Sequence, residues 1–169
     1  MKVYFAADHA GLELKNELLS FVRGEMGFLV DDCGAHEYDE SDDYPIIIAR
    51  AARALAHDVQ VGIEARAILI GASGQGEAMA ANRFERVRAA VYYGPVARLQ
   101  VDAGEHYLDM IASVRSHNDA NALALGARFI TIDEARDVVR TWLTQSFSGE
   151  ERHVRRIAEL DTVSTMHNI

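Results

Sequence analysis

The sequence predicts a doubly wound α/β fold with three layers, α/β/α, built around a mainly parallel five-stranded sheet. Short apolar runs alternate with segments in which apolar residues recur every three or four positions, a pattern typical of strands separated by helices. Small and polar residues follow the first and third apolar runs, at Asp8–Gly11 and Gly71–Glu77. Because ligands of such sheets gather at the carboxyl ends of the strands, we expect both segments to lie at one edge.

The predicted elements follow one another without a repeat or a linker. Pro45 suits the first turn of a helix. The strands are predicted at Lys2–Ala7, Phe28–Val30, Ala67–Ile70, Arg88–Tyr93 and Ala120–Ile130, the last interrupted by Gly126. The helices are predicted over the segment of Leu14, Leu18, Phe21 and Val22, from Tyr44 to about His57, near Gly76, at Asp133–Leu143 and at Glu150–Leu160. Residues 117–121 are interpreted as a polar turn before the last strand.

Composition favours one domain in a reducing compartment. The chain has 169 residues, 49% of them hydrophobic, and we expect a single domain at residues 1–160 with a tail at 161–169. The one cysteine, Cys33, excludes an internal disulfide framework. No signal peptide and no run of roughly 20 apolar residues is visible, so we expect a cytoplasmic protein.

The charge distribution bears on the partners. A net charge of −9 opposes binding to nucleic acid or to an anionic membrane. Residues 31–43 contain seven carboxylates, which we interpret as a solvated surface. Cationic contacts to an anionic ligand are therefore expected from the C-terminal third of the chain.

The segment Gly71–Glu77 favours an anion site beside a carboxylate. Glycines after a buried strand let the backbone approach a ligand, and the following helix start offers unpaired N–H groups. The segment matches neither the dinucleotide fingerprint nor a Walker loop. A tight turn without a ligand is the competing interpretation, and Glu77 is equally compatible with a favourable charge at a helix start.

Two further groups of residues could carry chemistry, and each also has an ordinary structural explanation. Asp8 and His9 after the first strand are either site residues or a capping acid beside a surface imidazole. Arg152 and Arg156 lie four residues apart, so they share a helix face that either clamps a phosphate or is merely solvated. His153 lies between them in the sequence and is expected to point away from the face that they share. The seven histidines show no metal-binding spacing, so no metal is expected.

Taken together, the motifs resemble the ribose-5-phosphate isomerase B family, which also includes galactose-6-phosphate isomerase. The resemblance runs from Lys2 to about Leu160 and rests on six motifs in order. They are Ala7–Gly11; Asp43–Pro45; Gly74–Glu77 with Ala80–Arg83; Arg88–Ala90; Ser116–Asn121 with Leu125–Arg128; and Glu151–Ile157.

The resemblance implies a flavodoxin-like fold, a homodimer or dimer of dimers, and aldose–ketose isomerisation of a sugar phosphate without a metal or other cofactor. It implies sites that lie between two subunits. One branch of the family uses a cysteine base directly after the third strand; Gly71 stands there in this chain, and Glu77 matches the glutamate base of the other branch. Cys33 lies on another segment and does not replace that cysteine.

By the same resemblance, His117 opens the sugar ring. An enediolate also needs hydrogen-bond donors, which we expect from Ser73 and the N–H groups of Gly74–Gly76 beside Glu77. The remaining residues bind substrate: Asp8, His9, Tyr44, Gly74, Gln75, Gly76, Asn118, Arg128, Arg152 and Arg156. The connection between Tyr93 and His117, at Gly94–Ala112, is longer than is usual in the family. A pentose, hexose or tetrose phosphate therefore stays open as the substrate. A flavodoxin-like module that binds a phosphorylated metabolite without converting it is the alternative function.

Overall fold

A computed structural model describes residues 1–95, 101, 107 and 109–163, and five parallel strands form its sheet in the order β2-β1-β3-β5-β4. The strands are β1 Lys2–Ala7, β2 Leu29–Asp32, β3 Ala65–Gly71, β4 Ala89–Tyr92 and β5 Ala122–Gly126. The helices are α1 Leu12–Gly24, α2 Tyr44–Gln60, α3 Gln75–Ala81, α4 Met110–Asn118, α5 Ile132–Thr144 and α6 Glu151–Thr162. A 3₁₀ turn, His9–Gly11, joins β1 to α1. Within these described residues, no helix is both long and apolar enough to span a membrane.

Two apolar layers sandwich the sheet, because successive side chains of a strand point to opposite faces. Val3 and Phe5 of β1 pack with α1, α4 and α5, whereas Tyr4 and Ala6 pack with α2 and α3. The central strand β3 is buried along its whole length, as expected for a parallel strand covered on both faces. The helices therefore cover both faces of the sheet. The amino and carboxyl ends of its strands, called its two edges below, are where polar residues can meet a ligand.

The predicted three-layer α/β class is confirmed, with one difference in strand order. The flavodoxin order is 2-1-3-4-5, whereas here β5 lies between β3 and β4. This exchange places the residues after β5 beside the loop that follows β3, since Gly71 and Gly126 are partners in the sheet. The switch of direction still falls between β1 and β3, where doubly wound proteins bind their ligands.

Two local predictions are wrong. The last strand ends at Gly126, because residues 127–129 form a turn against the loop after β3. The predicted polar turn at residues 117–121 is partly helical: His117 and Asn118 are the last residues of α4, which the sequence did not predict. Asp119 follows in the left-handed region with φ of 45° and ends the helix. The last helix extends to Thr162, slightly beyond its predicted end at Leu160.

Candidate active site

The loop after β3 is held against the end of β5 by backbone hydrogen bonds. The N–H of Ala127 donates to the carbonyl oxygen of Gly71 at 2.9 Å, and that of Arg128 donates to Ala72 at 3.2 Å. Gly74 has φ of 75°, a conformation that favours glycine, and its α-carbon faces the backbone of Leu125. The loop is thus fixed on the neighbouring strand before α3 begins.

Glu77, in the first turn of α3, turns its carboxylate back onto this loop. The side chain is only 4% exposed, and its carboxylate lies so close to the α-carbon of Gly71 that a β-carbon there would overlap it. Burial raises the pKa of Glu77, and the charge of Asp8 raises it further. The N–H groups of Glu77 itself and of Gly74 oppose this rise. The result is a carboxylate whose pKa is shifted towards neutrality, as suits a general base.

Asp8 and His9 lie directly after β1, at the same edge. The Asp8 carboxylate is buried and accepts a hydrogen bond from the N–H of Gly11 at 3.2 Å. His9 Nδ1 is 2.6 Å from Asp42 Oδ1, and the same oxygen accepts the His9 backbone N–H at 3.2 Å. The bond to Asp42 is the main cause that raises the pKa of His9; Asp8 adds to it, and Arg128 opposes it. Asp42 therefore favours the charged imidazolium.

The other predicted residues of this edge surround Glu77. Ser73 Oγ accepts only a long bond, 3.4 Å, from the N–H of Gln75. The ring of Tyr44 lies directly against Gly76, where any side chain would collide with it. Arg128 is exposed and near enough to His9 to affect its pKa. The backbone N–H of Gly74 stabilises the charged form of the Glu77 carboxylate.

His117 and Asn118 lie at the opposite, amino-terminal edge of the sheet. They end α4, whose chain then enters β5 at Ala122, and the carbonyl oxygen of Asn118 accepts a bond from Arg88 Nε at 3.1 Å. Arg88 directly precedes β4. Arg115 adds a second anchor, since its Nη1 donates to Ala120 O at 2.7 Å. Two arginines thus neutralise the carbonyl end of α4, a favourable arrangement with the helix dipole.

Helix α6 packs on α4 at this amino edge. The rings of His153 and His117 are 4.5 Å apart between centroids, and Arg88 Nη1 lies 4.0 Å from Asp161 near the end of α6. Arg152 and Arg156 are both exposed on α6. Arg152 pairs with Glu150 at 2.9 Å, whereas Arg156 has no ion pair within the described part of the chain.

The predicted site residues therefore form two groups that one chain does not bring together. At a rise of about 3.3 Å per residue, the five residues of β5 alone separate the groups by about 13 Å. The carboxyl-edge group is Asp8, His9, Tyr44, Ser73, Gly74, Gln75, Gly76, Glu77 and Arg128. The amino-edge group is His117, Asn118, Arg152 and Arg156. Each group holds part of the expected chemistry, and neither holds all of it.

One set of side chains at the carboxyl edge has the donor types of a cation site. Ligand atoms of Asp8, His9 and Asp42 lie within 4.8 Å of one another. Two carboxylates and an imidazole would suit a divalent cation in type. Here, however, Asp8 caps the turn after β1 and His9 Nδ1 is engaged by Asp42, so the hydrogen bonds already account for this arrangement.

Comparison with known proteins identifies the family. Residues 3–160 match the family described as Ribose/Galactose Isomerase. The chain belongs to this family. Ribose-5-phosphate isomerase B of Mycobacterium tuberculosis is 35% identical over 168 residues, which cover 99% of this chain and 92% of that protein. The enzyme of the same name from Escherichia coli is 32% identical over 167 residues, or 99% of each chain.

Solved structures of other ribose-5-phosphate isomerases B have the same fold. That of Mycoplasma genitalium, with bound ribulose-5-phosphate, superimposes with a TM-score of 0.82 at 30% identity over 97% of this chain and 96% of its own. That of Clostridium thermocellum has a TM-score of 0.81 at 34% identity over 99% and 100%. This chain therefore shares both the sequence pattern and the fold of these isomerases.

In this isomerase, sequence reasoning overlooked two side chains. Asp42 belongs to the acidic segment that was interpreted as solvated surface, yet its side chain is only 11% exposed and binds His9. His153 was expected to point away from Arg152 and Arg156, and it does, since it is buried while they are exposed; that its ring lies against the ring of His117 was not foreseen. The only available signal was an ionisable residue at the position of α6 where an apolar residue would normally face the core.

Proposed function

We propose that the protein interconverts ribose 5-phosphate and ribulose 5-phosphate through an enediolate, with Glu77 as the base that moves the proton between C2 and C1. The observation that carries this proposal is the Glu77 carboxylate, buried over Gly71 beside Asp8 at the switch point of the sheet. A Gly at residue 71 makes room for that carboxylate. The raised pKa of Glu77 supports both the removal and the return of a proton near neutral pH.

In the proposed reaction, Glu77 removes the proton from C2 of the open-chain aldose. The C2–H electron pair becomes the C1–C2 double bond, and the carbonyl electrons move onto O1. Ser73 Oγ and the N–H groups of Gln75 and Gly76 would stabilise this oxyanion, as donors aimed at developing charge do in other enzymes. A proton then passes from O2 to O1, and Glu77 returns its proton to C1, which leaves a ketone at C2.

A second copy of the chain would complete the site, because His117, Asn118, Arg152 and Arg156 lie at the far edge of their own sheet. We propose a homodimer, alone or paired into a dimer of dimers, in which these residues reach the Glu77 edge of the partner. Exposed apolar side chains lie near both edges, Met79 and Phe129 near Glu77 and Val154 and Leu160 on α6. Such surfaces are typical of protein contacts, and a shared contact repeats by symmetry.

Phosphate binding would fall to arginines from both chains. Arg128 comes from the Glu77 edge, and Arg152 and Arg156 come from α6 of the partner. Guanidinium groups bind phosphate by paired donors. His9 and Tyr44 would orient the sugar beside them, together with the partner's Asn118.

The relatives named above support ribose 5-phosphate as the first substrate to test. The free thiol of Cys33 is compatible with a reducing cytoplasm. The long segment Gly94–Ala112, on which the choice among sugars was expected to depend, lies largely outside the described residues. Hexose and tetrose phosphates therefore belong in the test.

The experiment is aldose–ketose exchange in D₂O with ribose 5-phosphate, galactose 6-phosphate and a tetrose 4-phosphate. We expect deuterium at the carbon-bound position of ribulose 5-phosphate C1, with turnover greatest for the pentose. Binding of these compounds without deuterium incorporation would contradict the proposal and leave a non-catalytic sugar-phosphate module. Faster turnover of the hexose or tetrose phosphate would keep the enediolate mechanism and change the substrate.

A further inference from the structure

His153 is a buried ionisable residue to which the proposed reaction gives no part. Among the residues of α6 it is the buried one, at 4% exposed, while Arg152 and Val154 on either side are exposed. Burying a leucine is favourable, whereas burying an imidazole costs free energy unless hydrogen bonds compensate. An apolar side chain would suffice to pack α6 on α4.

The environment of His153 favours its neutral form. Burial lowers the pKa of His153, and the carboxylate of Glu150 opposes this effect. Positive charge on His117 of α4 and on Arg152 and Arg156 of α6 lowers it further. His153 therefore favours its neutral form, and its ring lies against a second ring that is proposed to carry a proton.

Hydrogen bonds hold the His153 ring and link it to α4. Its Nδ1 lies 2.8 Å from Ser148 Oγ, in the segment before α6. The backbone N–H of Ser148 donates to the carbonyl oxygen of Ser116 at 3.0 Å. Ser116 immediately precedes His117, so this chain of contacts ties both rings to the same turn of α4.

The His117 ring is restrained on two sides. Its centroid is 4.5 Å from that of His153, with an angle of 39° between the planes. Its Nδ1 lies 3.1 Å from Ser113 Oγ, one turn earlier in α4. With one ring face covered and Nδ1 engaged, Nε2 is the nitrogen left to meet a substrate.

We propose that His153 is a positioning residue for the opening of the sugar ring: it holds the His117 imidazole so that Nε2 faces the furanose oxygen. This inference rests on the proposed function, in which His117 acts on the substrate. In ring opening the C1–O4 bond breaks, and its electron pair goes to O4, which takes a proton from His117 Nε2. The C1 hydroxyl gives its proton to Asp8, and the O–H electrons form the new carbonyl group.

Ribulose 5-phosphate supplies a test that separates ring opening from proton transfer at carbon. Its C5 oxygen carries the phosphate, so it forms no five-membered ring, and exchange of its C1 hydrogen with D₂O needs only the Glu77 step. Conversion of ribose 5-phosphate, by contrast, requires ring opening first. His153→Leu should lower kcat for ribose 5-phosphate by about tenfold or more, as expected for a misplaced general acid. The rate of C1 exchange in ribulose 5-phosphate should stay within about twofold of the wild type.

A second variant covers the case in which His153→Leu does not fold. Ser148 is exposed, and Ser148→Ala removes the bond to His153 without changing either ring. It should produce the same selective loss, about threefold for ribose 5-phosphate. Glu159→Gln, at an exposed position of the same helix, is the matched control and should change neither rate.

The outcomes distinguish the two proposals. Equal losses in both reactions, or no loss in either, would overturn the positioning role of His153 while wild-type turnover still upheld the isomerase. Absence of both reactions in the wild-type protein would instead overturn the proposed function itself.

Discussion

The two edges of the sheet differ in how they hold their polar residues. At the carboxyl edge, Glu77 and Asp8 are buried carboxylates close enough to raise the pKa of Glu77. At the amino edge, Arg88 and Arg115 neutralise the end of α4, and the arginines of α6 are exposed. The first edge is organised to take up a proton, and the second to present positive charge and an imidazole. Under the proposed function, isomerisation of a sugar phosphate needs both, and we propose that two chains combine them in one site.

The two edges also differ in how the chain turns. The turn of the carboxyl edge needs Gly74 at φ of 75° and a bare α-carbon at Gly71. The amino edge instead ends a helix on Asp119, whose φ of 45° is held by side-chain bonds from Arg88 and Arg115. A backbone turn positions Glu77, the proposed base, whereas helix packing positions His117, the proposed ring-opening residue. Substitutions at the two edges should therefore impair the protein in different ways.

The largest effect is expected from Glu77→Gln, which keeps the shape of the side chain and removes the base. We expect kcat for ribose 5-phosphate to fall by about 10³-fold or more. Measured with ribulose 5-phosphate in D₂O, the C1 exchange rate should fall equally. A rate within tenfold of the wild type would show that another group carries the proton.

The same variant should gain stability, because the pKa of Glu77 is raised by folding. A carboxyl group with a higher pKa in the folded state binds more protons there, so stability falls as pH rises through that pKa. Glu77→Gln removes this cost. Its Tm should exceed that of the wild type at pH 8, and the difference should vanish below the unfolded pKa of about 4.3. Glu159→Gln at an exposed position should show no such difference.

A smaller but decisive effect is expected when the two edges are inactivated in separate chains. Glu77→Gln and His117→Asn should each be nearly inactive with ribose 5-phosphate. If each site combines edges from two chains, random mixing makes about half of the dimers mixed, and each mixed dimer has one intact site. Co-expression with two different tags should then recover about a quarter of the wild-type activity.

Two results would contradict the shared site. If both edges of one chain served the same site, mixed dimers would contain no intact site and no activity would return. Recovery in a control mixture of Glu77→Gln with Glu77→Ala would point to a contaminating isomerase. Only recovery confined to the cross-edge mixture supports the division between the edges.

Sequence alone predicted the carboxyl edge better than the amino edge. Glu77 lies six residues after Gly71, so strand, turn and first helical turn are local and their geometry follows from glycine and apolar patterns. His117 and His153 are 36 positions apart and meet only through the packing of α4 on α6. The weak apolar pattern of α4 also hid the helix that carries His117. Family resemblance supplied His117 as a residue, but not the ring that covers it.

Asp42 shows a further limit. Seven carboxylates within residues 31–43 predict a solvated loop, and Asp39 and Glu40 fit that interpretation because they are exposed. Asp42 instead turns inward to His9, 33 positions away. Charge density along a sequence does not say which member of an acidic segment reaches a site after folding.

The smallest effect is expected from the pair of Asp42 and His9 at the carboxyl edge. Asp42→Asn removes the main cause that raises the pKa of His9, so the imidazolium should be lost near its ordinary pKa of about 6.5. The wild-type protein keeps the charge to higher pH. At pH 7.5 the variant should therefore show a KM for ribose 5-phosphate about fivefold higher, because the contact by which His9 orients the sugar is no longer charge-assisted. At pH 5.5 both proteins carry charged His9, and their KM values should converge.

Glu40→Gln is the control from the same segment, with no expected change in KM at either pH. An equal rise in KM at both pH values would mean that Asp42 acts by fixing the shape of the loop, and that the charge of His9 contributes nothing to binding.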